Sequence, residues 1–138
     1  MNAKNNTTSG SQGHIAKKIL LVEDYEGNII IALHYLEEEG FSVTSALNGE
    51  EALRALDKED FDLVLMDVEM PIMDGYETTK IIRQRQKDGK MKQFPIIGTT
   101  ANAFTEDRDK CFAAGMDDYI SKPFDFKFLI EKIRKLTA

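Results

Sequence analysis

Four separate stretches of the sequence each end an apolar run on side chains that suit metal or phosphoryl chemistry. Glu23 and Asp24 follow the first run, Asp67 the second, Thr100 the third, and Lys122 the fourth. A carboxylate can cap a loop, bind a hard divalent cation, or attack phosphorus and form an aspartyl phosphate. A lysine or a hydroxyl group stabilises charge on the oxygens of a transferred phosphoryl group. These residue types therefore favour phosphoryl chemistry if the fold brings them together.

Charge balance adds a condition to that prediction. Three neighbouring carboxylates raise one another's pKa, and burial increases the cost of keeping them ionised. Lys122 supplies one compensating charge, and a divalent cation would supply two more. Oxygen ligands suit Mg²⁺, or Mn²⁺ in its place. His14 and His34 are distant in the sequence from the motif around Asp67, and there is one cysteine, which argues against zinc.

The apolar pattern predicts five strand–helix pairs in succession. Predicted strands cover 17–23, 41–46, 63–66, 94–100 and 118–121, each followed by residues at helical spacing. Strands that are apolar at nearly every position are buried on both faces, which favours a parallel, doubly wound α/β sheet covered by helices. Ligands bind such sheets at the carboxyl ends of the strands, where the acids and Lys122 are expected to meet.

Helix boundaries follow from capping residues. Asn48 with Glu51 predicts a capping box for the second helix. Thr105 is expected to cap the fourth helix and Asp125 the fifth, while Asp74 and Gly75 are assigned to a turn before a third helix that begins at Thr78.

Bulk composition narrows the class of protein. A chain of 138 residues favours one domain, and a net charge of −6 with a pI near 5.0 argues against direct nucleic-acid binding. No apolar stretch is long enough to span a membrane, and the lone Cys111 fits a reducing compartment. We therefore expect a cytoplasmic protein with a flexible tail at 1–16 and a domain at 17–138.

Four motifs point to a family. They are I-L-L-V-E-D at 19–24, L-M-D-V-E-M-P-I-M-D-G at 65–75, T-A-N-A at 100–103, and G-M-D-D-Y-I-S-K-P-F at 115–124. With these motifs in order, the sequence resembles the receiver domain of two-component response regulators from residue 17 to about 136. The resemblance implies a flavodoxin-like (βα)5 fold with parallel strand order 2-1-3-4-5. It also implies a role in phosphorelay signalling.

The resemblance assigns roles around the metal. Asp67 would be the phosphoacceptor, taking its phosphoryl group from a phosphohistidine. Asp24 would bind Mg²⁺ together with Asp67 and the backbone carbonyl of Glu69. Glu23 would act in the outer shell of the metal through water.

It also assigns the residues that respond to phosphate. Thr100 would hydrogen-bond the phosphoryl group. Lys122 would pair with Asp67 and then with phosphate. The Lys122–Pro123 bond is expected to be cis, as is common in the family. Tyr119 would be the aromatic switch that changes the face made by the fourth helix, fifth strand and fifth helix.

The implied partners are proteins. The phosphodonor would be a sensor histidine kinase or a histidine phosphotransfer domain, and the output a downstream protein effector. Nucleic acid and membrane are not expected to bind directly. The chain would catalyse its own phosphotransfer and dephosphorylation without being a classical enzyme.

Three other interpretations remain open from the sequence. One is an interaction module that works without phosphorylation. Another is a small aspartyl-phosphate phosphohydrolase, although Glu69 stands where such enzymes usually place a second Asp and there is no room for a cap domain. The third, a flavin or nucleotide binder, lacks a phosphate-cradling loop, because E-D-Y-E-G-N at 23–28 is acidic.

Overall fold

Five parallel strands alternate with five helices in the part of the chain that the structure describes. The computed structural model describes residues 15–102 and 104–138. Its elements are β1 Lys18–Val22, α1 Glu26–Glu38, β2 Ser42–Ala46, α2 Gly49–Lys58, β3 Leu63–Asp67, α3 Gly75–Lys87, β4 Ile96–Thr100, α4 Thr105–Ala114, β5 Asp118–Ser121 and α5 Phe126–Leu136. The strand order is β2-β1-β3-β4-β5, and every neighbouring pair is parallel. The predicted doubly wound (βα)5 fold is therefore confirmed. The tail expected at 1–16 falls largely on residues 1–14, which lie outside the described residues.

Two hydrophobic clusters, one on each face of the sheet, hold the layers together. Alternate side chains of one strand point to opposite faces, so Leu20 and Val22 join a cluster with α2, α3 and α4, whereas Ile19 and Leu21 join one with α1 and α5. The central strands β3 and β4 are buried along their whole length. This burial on both faces explains their nearly continuous apolar sequences and places their carboxyl ends side by side at one edge.

The capping predictions were correct for two helices and wrong for two. Asn48 Oδ1 accepts the Glu51 N–H at 2.9 Å, and Asp125 Oδ1 accepts the Phe128 N–H at 3.2 Å. By contrast, α3 begins at Gly75, because the Asp74 side chain accepts the Glu77 N–H at 2.9 Å and makes Asp74 the N-cap of the helix.

The start of α4 also differs from the prediction. Its N-cap residue is Phe104, whose backbone is extended and whose side chain makes no capping hydrogen bond, and Thr105 is the first helical residue. The amino end of α4 therefore lacks the side-chain acceptor that closes α2, α3 and α5.

Candidate functional site

The predicted acids meet at the carboxyl edge of the sheet. Glu23 and Asp24 directly follow β1, and Asp67 ends the neighbouring strand β3. Carboxylate oxygens of the three residues lie within 4.8 Å of one another. Glu23 and Asp67 are 2% and 1% exposed, whereas Asp24 is exposed. Within 15–102 and 104–138, this is the one group of three or more His, Cys, Asp or Glu side chains close enough to hold a metal ion.

Lys122 supplies the positive charge in this cluster. Its Nζ lies 3.2 Å from Asp67 Oδ2 and 3.1 Å from Glu23 Oε1. The Lys122 N–H donates to the Thr100 carbonyl at 2.8 Å, which holds the start of the loop after β5 against β4. The following Lys122–Pro123 bond is cis. Burial favours a lower pKa for Lys122, but the Asp67 and Glu23 carboxylates outweigh burial and raise that pKa above its ordinary value.

Asp67 is harder to ionise than an ordinary aspartate. Its pKa is raised from 3.8 to about 6, mainly by burial and in smaller part by the Glu23 charge. The hydrogen bond from the Glu69 N–H, at 3.1 Å to Asp67 Oδ1, and the Lys122 charge both act in the opposite direction. The acidic cluster therefore carries an electrostatic penalty that one ammonium group does not remove.

The loop after Asp67 is closed tightly against it. Gly75 N–H donates to the Val68 carbonyl at 3.2 Å, so residues 68–74 leave the strand end and return to it. A Cβ on Gly75 would lie 2.2 Å from the Asp67 carbonyl oxygen and 2.8 Å from Val68 Cα. Only glycine fits at this position without moving the backbone that carries Asp67.

Thr100 lies at the end of the adjacent strand and is 2% exposed. Its hydroxyl donates to the Asn102 carbonyl at 2.9 Å and accepts the Asn102 N–H at 3.1 Å. The β3–β4 register pairs Asp67 with Thr99, one residue before Thr100. Ala103, the last residue of the T-A-N-A motif, lies outside the described residues.

Tyr119 lies apart from the acidic cluster. It is half-buried against the core on the α2–α4 face of the sheet, and its ring meets Phe112 of α4 edge to face at 6.2 Å between centroids. The structure therefore gathers Glu23, Asp24, Asp67 and Lys122 in one cluster. Glu69 is bonded to that cluster through its N–H, whereas Thr100 and Tyr119 lie on the β4–β5 side.

Sequence reasoning missed a groove beside the cluster. It has a volume of about 320 Å³ and lies between α1 and the loop after β5. Its lining residues are Asn28, Ile31, Tyr35, Lys122, Pro123, Phe124 and Phe126. Exposed apolar residues on α1, such as Ile31 and Tyr35, gave the available signal.

A family model supports the interpretation of this site. The model described as the response regulator receiver domain matches residues 19–134. The chain belongs to this family. Receiver domains are signalling modules of two-component systems rather than classical enzymes. The sequence is 39% identical to a probable histidine kinase 1 from Oryza sativa subsp. indica over 86% of this chain, but the chain spans only 15% of that protein's length.

Solved receiver domains have the same fold. The receiver domain of sensor histidine kinase PA1611 from Pseudomonas aeruginosa is 36% identical with a TM-score of 0.78 (89% of this chain and 98% of that chain are covered). That crystal structure has a magnesium ion coordinated in the active-site cleft. A second solved structure is the receiver domain of Ssk1 from Saccharomyces cerevisiae in complex with the histidine phosphotransfer protein Ypd1. It is 29% identical to this chain with a TM-score of 0.82, and the match covers 88% of this chain and 89% of that chain.

Within the part of the chain described here, no helix is long and apolar enough to cross a membrane.

Proposed function

We propose that this receiver domain accepts a phosphoryl group on Asp67 from a phosphohistidine and passes the signal to a downstream protein effector. The single observation that carries the proposal is the placement of one buried carboxylate, Asp67, against an ammonium group and two further carboxylates. The role belongs to the domain at 17–138, with 1–16 as its tail. We place the exchange in the cytoplasm, in keeping with the lone Cys111.

The acidic cluster fits Mg²⁺, with Mn²⁺ as a substitute. Three carboxylates and one ammonium group leave two uncompensated negative charges, and the available donors are all oxygen atoms. Asp24, Asp67 and the Glu69 carbonyl would hold the ion, and Glu23 would contact it through water. When bound, the cation supplies positive charge that lowers the repulsion between Asp67 and the incoming phosphoryl group.

The protein's own residues carry the other parts of the transfer. An Asp67 carboxylate oxygen attacks phosphorus, the phosphorus–nitrogen bond to the histidine breaks, and the imidazole leaves and takes up a proton. Lys122, already 3.2 Å from Asp67, moves its pairing to the phosphoryl oxygens. Thr100 donates its hydroxyl to another of these oxygens. Tyr119 then reorients and changes the face made by α4, β5 and α5. The chain also catalyses its own dephosphorylation in this scheme.

The proposed donor is a sensor histidine kinase or a histidine phosphotransfer protein. The curated relatives named as histidine kinases, and the solved complex of a receiver domain with Ypd1, support this choice. The groove between α1 and the loop after β5 is lined by Lys122 and therefore borders the acidic cluster. Its apolar side chains could contact a protein donor that approaches Asp67.

Mass spectrometry with a small phosphodonor tests the function directly. Acetyl phosphate with Mg²⁺ should add one phosphoryl group to the wild-type chain and none to Asp67→Asn. Glu69→Gln, which keeps the backbone donor and carbonyl of residue 69, is the matched control and should still be labelled. A wild-type chain that gains no phosphoryl group, or an Asp67→Asn variant labelled equally well, contradicts the proposal.

A further inference from the structure

The outer edge of β2 is open. Among the described strands, β2 lies at one end of the sheet and pairs with β1 alone. The Ser42 N–H donates to the Lys17 carbonyl at 2.9 Å, so the backbone groups of Ser42 face the β1 side. Because these groups point to alternate sides along a strand, Val43 and Ser45 each direct an N–H and a carbonyl away from the sheet. The edge therefore offers two donors and two acceptors to another strand.

The sequence of β2 lacks the features that usually protect a sheet edge. Edge strands in natural proteins are kept from pairing by charged side chains, proline, bulges or short length. β2 reads S-V-T-S-A, and its register with β1 is continuous over five residues. The strand at the opposite end, β5, has four residues, carries Asp118 in an ion pair with Lys132 at 2.7 Å, and leads directly into Lys122 and Pro123. β2 is therefore the edge that is open to another chain.

A groove of about 370 Å³ lies beside this edge, between β2 and α2. Glu51 and Lys58 line it from the helix. Glu51 lies toward the carboxyl end of β2, where its Oε1 accepts the Leu47 N–H at 2.8 Å. Lys58 lies two helical turns further along α2, toward the amino end of the strand. Arg54, which also lines the groove, lies one turn from Glu51 on the same helix, and that carboxylate offsets its charge. The groove thus has an acidic end and a basic end.

We propose that β2 pairs antiparallel with β2 of a second copy of this chain, which joins two five-stranded sheets into one. With Thr44 opposite Thr44 at the two-fold axis, Val43 of each copy exchanges both backbone hydrogen bonds with Ser45 of the other, and all four outward groups are satisfied. Opposed threonine side chains are a favourable cross-strand pair. The reversed direction also brings Glu51 of one copy toward Lys58 of the other. The edge is therefore self-complementary in hydrogen bonds and in charge, which favours a second copy over an unrelated partner.

This pairing leaves both acidic clusters accessible. The carboxyl edges of two antiparallel copies point in opposite directions, so neither Asp67 is covered by the other copy. An interface built on one short strand from each copy is smaller than a standard interface, and we expect a dissociation constant of about 0.1 to 1 mM. The inference is independent of the proposed function, because it does not involve phosphate.

Sedimentation velocity between about 10 µM and about 1 mM tests the pairing. The average mass of the wild type should rise with concentration. Thr44→Lys places two ammonium groups at the axis, and Ser45→Pro removes an outward N–H but no bond to β1, so each should weaken association at least about tenfold. Ser45→Ala keeps that N–H and is the matched control, with association near wild type. Lys58→Glu, which opposes Glu51 with a like charge, should also weaken association, and high salt should reduce its effect.

Amide hydrogen exchange locates the contact. The N–H groups of Val43 and Ser45 should exchange about two- to fivefold more slowly at about 1 mM than at about 10 µM, because only the monomer exposes them. The N–H of Thr44, which faces β1, should not change. Thr44 is exposed, so Thr44→Lys should fold and decides the result even if proline strains β2 in Ser45→Pro.

Three outcomes overturn the inference. One is a wild-type chain that remains monomeric at about 1 mM. Another is association that Thr44→Lys leaves unchanged, which would place the contact on a different surface. The third is association without slower exchange at Val43 and Ser45.

Discussion

Lys122 Nζ lies 3.2 Å from Asp67 Oδ2, although the two residues are far apart in the sequence. The same nitrogen lies 3.1 Å from Glu23 Oε1, so one ammonium group is shared by two carboxylates that are almost fully buried. An ion pair of this kind stabilises the fold only while every charge in it is compensated. That balance should therefore depend on pH, on Lys122, on the metal and on the backbone that holds Asp67.

Asp67→Asn should stabilise the metal-free protein in a pH-dependent way. The folded pKa of Asp67 is raised from 3.8 to about 6, so ionised Asp67 destabilises the folded state relative to the unfolded state. The advantage of the variant should be absent below about pH 4, grow as pH rises through 6, and then level off at about 1 to 3 kcal/mol. Urea unfolding in EDTA from pH 4 to pH 8 measures it. A difference in unfolding free energy that does not change with pH would contradict the raised pKa.

Lys122→Met should destabilise the protein at neutral pH. The substitution leaves Asp67 and Glu23 buried without a counter-charge, and a loss of about 3 kcal/mol is typical of breaking a buried ion pair. Mg²⁺ should restore part of the unfolding free energy, because the cation replaces the missing charge. Urea unfolding with Mg²⁺ or EDTA measures both effects.

Lys132→Met is the control for that experiment. Lys132 Nζ pairs with Asp118 Oδ2 at 2.7 Å, and its side chain has the same 19% exposure as that of Lys122. It lies outside the acidic cluster, so its variant should show no greater rescue by Mg²⁺ than wild type. Equal rescue of both variants would argue against an effect of the cation on the cluster.

Asp24→Asn should weaken Mg²⁺ binding. The exposed Asp24 completes the group of carboxylates within 4.8 Å, and we expect the dissociation constant to rise at least about tenfold. Isothermal titration calorimetry measures the change, and the increase in thermal midpoint that Mg²⁺ gives the wild type should shrink in parallel. Glu26→Gln, two residues away at the start of α1, is the control and should bind nearly as tightly as wild type.

Gly75→Ala should damage the site through the backbone. The added Cβ would meet the Asp67 carbonyl oxygen at 2.2 Å, and no side-chain rotation relieves that contact. We expect a loss of about 1 to 3 kcal/mol in unfolding free energy and slower labelling of the folded variant by acetyl phosphate. Gly27→Ala is the control: its Cβ would meet the exposed Tyr25 ring, which can move, and alanine suits a helix better than glycine. Unchanged stability and labelling in Gly75→Ala would show that the loop has room to shift.

The strands and the proximity of the acidic residues could be predicted from the sequence, but some contacts had no local sequence signal. Parallel strands must share an edge, so Asp24, Asp67 and Lys122 could be placed together from the apolar runs alone. The Glu23–Lys122 pair joins residues 99 positions apart, and no sequence period reports which acid a lysine selects. The start of α3 was predicted three residues late, because Asp and Gly after a proline are also typical of turns. The positive φ of Ile72 could not be predicted from the sequence, because β-branched residues rarely adopt a positive φ.

The reciprocal hydrogen bonds between Thr100 and Asn102 have a consequence for signalling. The Thr100 hydroxyl has one proton, and in this structure that proton is already given to the Asn102 carbonyl. A phosphoryl group on Asp67 would therefore compete for that proton instead of finding it unused. The driving force for the rearrangement is the difference between a hydrogen bond to a neutral carbonyl and a stronger one to a charged phosphoryl oxygen, so phosphorylation would shift the loop at 100–102, and loss of the phosphoryl group would let the Asn102 contact re-form.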